Sequence, residues 1–103
     1  MTKVIVLYSN QENSNFDLKY YTESHIPLVK KLLGESCKKV EVESGVAGAT
    51  PGSSPAFLVI GHLYFDSVAD FQNALAPHAE KILGDIPKFT NVNPIIQISE
   101  ILL

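Results

Sequence analysis

Twice in this 103-residue chain a β-type run leads into a Ser-x-x-Asp helix start and an amphipathic stripe, and each time another β-type run follows. Two βαβ halves in one short chain leave few topologies open. Right-handed crossovers fold them into a four-stranded antiparallel sheet with both helices on one face. The expected class is α+β, a ferredoxin-like βαββαβ unit in a single domain over residues 1–103.

Residues 3–9 (KVIVLYS) carry β-branched and aromatic side chains and end in the turn-forming stretch Asn10 to Asn15. Ser14 and Asp17 read as a capping box. Behind them Leu18, Tyr21, His25, Leu28, Val29 and Leu32 recur at helical spacing up to Gly34. Pro27 lacks a backbone donor, so this helix should kink there or restart near Ser24, beside His25. Residues 37–46 and 56–65 read as strands joined by the loop GATPGSSP. Ser67 and Asp70 open the second helix, whose stripe of Val68, Phe71, Leu75, Ala79 and Ile82 should be interrupted at Pro77. The tail 91–103 closes the order as a last strand, with Val92, Ile96, Ile98 and Leu102 on one side.

The first, third and last strands are apolar on both faces, whereas a sheet covered on one face usually shows polar residues on the other. Nothing is left in the chain to cover the second face. The simplest cover is a second copy, in a two-fold homodimer with sheet facing sheet.

A net charge of −3, with eight dispersed lysines and no arginine, gives no basic field for nucleic acid. No apolar run approaches the ~20 residues of a membrane span, and the start lacks the pattern of a signal peptide, so a cytoplasmic protein is expected. Cys37 stands alone and reads as a small core filler. Gly45, Gly48 and Gly52 lack the following helix that a phosphate-cradling loop requires.

His25 shares its helical stripe with Tyr21, so both polar side chains point toward the sheet. A histidine so placed serves as general base or acid, and a tyrosine hydroxyl can orient it or hold a ligand oxygen. The alternative is a core histidine bonded to a backbone carbonyl. Tyr20, one step round the helix, reads as a rim or surface aromatic. His62 and Tyr64 share a face of the third strand and belong either under the helices or in the dimer interface, with packing as their expected role; Tyr8 is a further candidate lining residue. His78, after Pro77, reads as a solvated position. The three histidines show no metal-ligand spacing, and no cofactor is expected.

Tyr21-Thr22-Glu23-Ser24-His25-Ile26-Pro27-Leu28 resembles the Tyr-x-x-x-His-x-Pro-Leu helix motif of the EthD family. Phe65-Asp66-Ser67 with Phe71 resembles that family's entry into its second helix, and Asp85-Ile86-Pro87-Lys88-Phe89-Thr90-Asn91 is similar to its lead into the last strand. The resemblance implies the dimeric α+β barrel superfamily, whose members range from polyketide cyclases, cofactor-free oxygenases and haem-degrading enzymes to plain binding proteins. It carries over His25 and Tyr21, with no such support for His62, Tyr64 and Tyr8. The expected function is a catabolic enzyme or accessory protein, with His25 as general base on a small apolar carbonyl- or phenol-bearing ligand that Tyr21 helps orient. The alternatives are a dimeric module that only holds such a ligand, a cofactor-free oxygenase or cyclase, and a haem-binding relative.

Overall fold

The computed structural model describes residues 1–103. In chain order it contains β1 (Thr2–Ser9), a helical turn α1 (Leu18–Tyr20), a π-helical segment Tyr21–His25, α2 (Ile26–Leu33), β2 (Lys39–Ser44), β3 (Phe57–Phe65), α3 (Val68–Leu75), α4 (Ala79–Gly84) and β4 (Ile95–Glu100). The sheet order is β2-β3-β1-β4 and every pairing is antiparallel. This is the ferredoxin-like α+β arrangement that two βαβ halves require.

Register fixes which residues share a face, since directly opposed residues point the same way. Val4 faces Leu63, Val6 faces Gly61 and Tyr8 faces Val59, while Ile98 and Ile96 lie opposite Val4 and Val6 on the other side of β1. This is the helix-covered face. Val29 and Leu33 of α2, Phe71 of α3 and Ile82 of α4 pack there with Val4, Leu63 and Phe65. A second cluster, Tyr8, Tyr21, Val59, Phe89 and Val92, fills the other end. Between the clusters the floor is formed by Val6 and Gly61, and the missing side chain of the glycine makes room for the Tyr21 hydroxyl.

The opposite face carries Ile5, Leu7 and Ile60 beside His62 and Tyr64, and no helix covers it. Each of these five is half-buried within the chain.

Three local expectations need correction. Ser14 does not cap the first helix: its hydroxyl bonds within the turn to Gln11, and Asp17 is the cap, accepting from the Tyr20 N–H at 3.0 Å. Pro27 neither breaks the helix nor restarts it at Ser24. The chain widens instead to a π turn in which the Ile26 N–H reaches the Tyr21 carbonyl, and Pro27 sits in the first turn of α2, where its missing donor costs little. Val92 lies outside β4, buried in the second cluster, because the strand begins only after Pro94.

The second helix follows expectation. The Ser67 hydroxyl accepts from the Asp70 N–H at 3.1 Å, and the chain breaks around Pro77 into α3 and α4. His78 closes that break with its backbone, donating to the Leu75 carbonyl and accepting from the Ile82 N–H. Cys37 packs at the margin of the first cluster, as a filler should.

Candidate functional site

The cavity between the helices and the sheet, about 70 Å³, occupies the gap over Val6 and Gly61. Its walls are almost wholly apolar, including Val4, Val29, Leu63 and Phe71, and no lysine or carboxylate lines it. Leu83 and Ile96, each 49% exposed, border its open side next to β4. Three polar side chains reach it: His25, Tyr21 and Tyr8.

His25 and Tyr21 arrive together because both lie in the π-helical segment and turn inward. Their rings stack at 5.6 Å with planes 16° apart. His25 is 4% exposed, and its Nδ1 lies 2.9 Å from Oδ2 of Asp85. Asp85 follows α4 and opens the short 3-10 turn Ile86–Lys88, which Pro87 stiffens. Its other oxygen accepts from the Tyr20 hydroxyl at 2.9 Å and pairs with Lys88 Nζ at 3.5 Å.

Burial by itself would raise the Asp85 carboxyl. The hydrogen bonds from His25, Tyr20 and Lys88, with the attraction of His25, outweigh it and hold the group below its usual range. An ionised Asp85 can only accept, so the proton of a neutral His25 resides on Nδ1. Nε2 then carries the lone pair. It makes no hydrogen bond within the chain, and the ring borders the cavity.

The Tyr21 hydroxyl sits against the sheet floor, and a Cβ built on Gly61 would lie 2.6 Å from it. Burial pushes the Tyr21 phenol up to about 12, and burial together with Tyr21 raises Tyr8 further. Neither hydroxyl has a partner within the chain. Both phenols meet edge-to-face at 5.8 Å and pack with Phe16 and Phe89.

Segment 89–92 fixes this end of the site. The Phe89 carbonyl accepts from Asp17 N–H, Asn91 Oδ1 accepts from Asn15 N–H, and Thr90 Oγ1 donates to the Asn15 carbonyl at 2.6 Å. The turn before the helix is thereby tied to the lead into β4.

His62 and Tyr64 do not join this cavity. Side chains alternate along β3, so they project from the face away from the helices, where His62 bonds Glu43 and Tyr64 bonds Glu41 on β2. Lys3 and Lys39 lie over the Tyr64 ring at 5.6 and 5.5 Å. Tyr20 is more than a rim aromatic, since its hydroxyl holds Asp85. Asp85 was not among the site residues expected from sequence; its position at the head of the Asp-x-Pro-x-Phe-Thr-Asn stretch was the signal for it. No group of three His, Cys, Asp or Glu side chains is placed to hold a metal ion. No helix is long and apolar enough to cross a membrane.

Residues 13–93 match the EthD domain. An EthD-like protein from Ralstonia eutropha JMP134 is 40% identical and superposes with a TM-score of 0.95 over 99% of this chain and 92% of its own. An ethyl tert-butyl ether (EthD) family protein from Bacillus halodurans C-125 is 23% identical, with a TM-score of 0.76 and 99% of both chains covered. A dimeric ferredoxin-like protein of unknown function from Thermobifida fusca shares the fold at 14% identity and a TM-score of 0.57, over 97% of this chain and 90% of its own. No curated protein matches the chain. On the match over residues 13–93 and the 40% identity along nearly its whole length, the chain belongs to the EthD family.

Proposed function

We propose that this protein binds and transforms a small apolar molecule bearing a carbonyl or phenol oxygen, with His25 as general base, Asp85 holding its tautomer, and Tyr21 orienting the ligand. The observation that carries this reading is the His25–Asp85 pair: Nδ1 is occupied at 2.9 Å, and the free Nε2 belongs to a ring that borders a cavity without a single charged wall residue. A base in such surroundings works on a neutral substrate, because the cavity offers no partner to a buried ligand charge.

A thermal-shift screen of neutral aromatic ketones and phenols followed by turnover assays tests it. His25→Ala should abolish turnover while the protein stays folded. Unchanged activity in that variant contradicts the reading. Binding without turnover in the wild type identifies a module that only holds its ligand.

The same reading includes a cytoplasmic homodimer. Ile5, Leu7 and Ile60 on the uncovered sheet face favour a second copy there, sheet against sheet. Leu7→Lys, which puts a charge into that row, should convert a dimer into a monomer in sedimentation equilibrium. A wild-type monomer at micromolar concentration contradicts the dimer.

A further inference from the structure

Two tyrosines buried as side chains, yet with hydroxyls that the chain leaves unpaired beside a cavity, are unusual, since a polar group inside a protein normally finds a hydrogen bond there. Here Tyr8 and Tyr21 are 1% and 2% exposed, both border the cavity, and neither hydroxyl makes a hydrogen bond within the chain. Their position is built rather than incidental. Tyr21 reaches the floor because β3 has Gly61 beneath its oxygen, where any Cβ would lie 2.6 Å away. Tyr8 stands beside it, ring edge to face.

We infer that the Tyr8 and Tyr21 hydroxyls together seat one carbonyl oxygen, so that the ligand is a small, flat, apolar ketone with an acidic hydrogen beside that carbonyl. The inference rests on the reading of His25 as a base, and it names the substrate class for that site. A carbonyl oxygen has two lone pairs and no proton, so it satisfies two donors at once. Carboxylates and phosphates would enter with no cation to meet them, and amines with no free carboxylate, since both oxygens of Asp85 are taken.

The chemistry balances without a co-reactant. His25 Nε2 takes the proton from the carbon next to the carbonyl. The electron pair of that C–H bond becomes the carbon–carbon double bond, and the carbonyl π pair moves to oxygen. Both phenols donate to the resulting oxyanion and strengthen as its charge grows, which is where fixed donors lower a barrier. They remain protonated, because burial lifts both above the range of solvent pH. Asp85 stabilises the imidazolium, and return of the proton to carbon regenerates the ketone.

The test uses 2-indanone, 2-indanol and indane as probes of one shape, with dissociation constants from ligand-observed NMR on wild type, Tyr8→Phe, Tyr21→Phe, the double variant and Gly61→Ala. Wild type should bind 2-indanone at least about tenfold more tightly than indane, the worth of one to two hydrogen bonds. Each single Phe variant should reduce that preference and the double variant should abolish it. Gly61→Ala, which keeps both hydroxyls and displaces one, should also reduce it.

The Phe variants should melt like wild type, because neither hydroxyl has a partner to lose. Exchange of the 2-indanone α-hydrogens in D₂O should be catalysed by wild type, slowed in the Phe variants and absent in His25→Ala, which keeps the ketone preference. No ketone preference in wild type, or an undiminished one in the double variant, overturns the carbonyl seat. A preference that depends on the tyrosines, but with no catalysed exchange, supports the seat and overturns the base.

Discussion

Nδ1 of His25 stands 2.9 Å from Oδ2 of Asp85, a residue 60 positions further along the chain and on the other helical half. Both side chains are buried, so neither can lose the other without leaving a polar group unpaired. Asp85→Asn keeps the size and removes the charge. It should lower stability at pH 7 by about 2 kcal/mol, the scale of a hydrogen bond to a charged group, as read by urea unfolding. An unchanged midpoint would show that the pair contributes nothing to the fold.

Acid should expose the same pair. Asp85 titrates below its ordinary range when folded and near about 4 when unfolded, so unfolding takes up a proton. Its contribution is present above the unfolded value and is lost as pH falls through the folded one. Melting temperature should therefore drop between pH 5 and the acid limit in wild type, and drop less in Asp85→Asn. Parallel curves for the two proteins would remove Asp85 from the acid response.

Tyr20 donates to the same carboxylate from the half-buried side of the site. Tyr20→Phe should lower stability and move the acid limb of the melting curve to higher pH, because Asp85 loses one of the donors that hold it ionised. Denaturant unfolding at pH 7 and pH 4 checks both effects.

Two glycines should respond in opposite ways to alanine. Gly61→Ala drives a methyl into the Tyr21 hydroxyl, and overpacking of this kind costs about 1–3 kcal/mol. At Gly84, the end of α4, an added Cβ meets nothing within 4 Å and the backbone is not left-handed, so alanine should be neutral or stabilising by up to ~1 kcal/mol. Equal effects at both positions would show that the floor at Gly61 is slack.

The caps give a paired test of the helix starts. Asp17→Ala and Ser67→Ala should each cost about 1 kcal/mol, since each side chain accepts from an otherwise orphaned N–H. Ser14→Ala should cost less, because Ser14 only ties a turn.

The order of elements was legible because each depends on a local pattern: β-branched runs, two helical stripes, and Ser67 in register with Asp70. Ser14 misled because Ser-x-x-Asp ends in a residue that caps equally well, and spacing does not say which of the two does so. Pro27 correctly marked an irregularity beside His25, but only the three-dimensional path distinguishes a π turn from a kink. Alternation placed His62 and Tyr64 together and left their side of the sheet undecided, which the pairing with Glu43 and Glu41 settles. The pairing of Asp85 with His25 is not legible in the sequence, because the two lie in different halves of the chain, where no periodicity connects them.

The tautomer of His25 tests the central claim most directly. Long-range ¹H–¹⁵N correlation, followed across pH to the neutral ring, should show that form with Nδ1 protonated and Nε2 with the shift of a bare, lone-pair nitrogen. Asp85→Asn should redistribute the proton between the two nitrogens. A wild-type spectrum with the proton on Nε2 would contradict the account, because the nitrogen that Asp85 leaves free would then have no lone pair with which to act as a base.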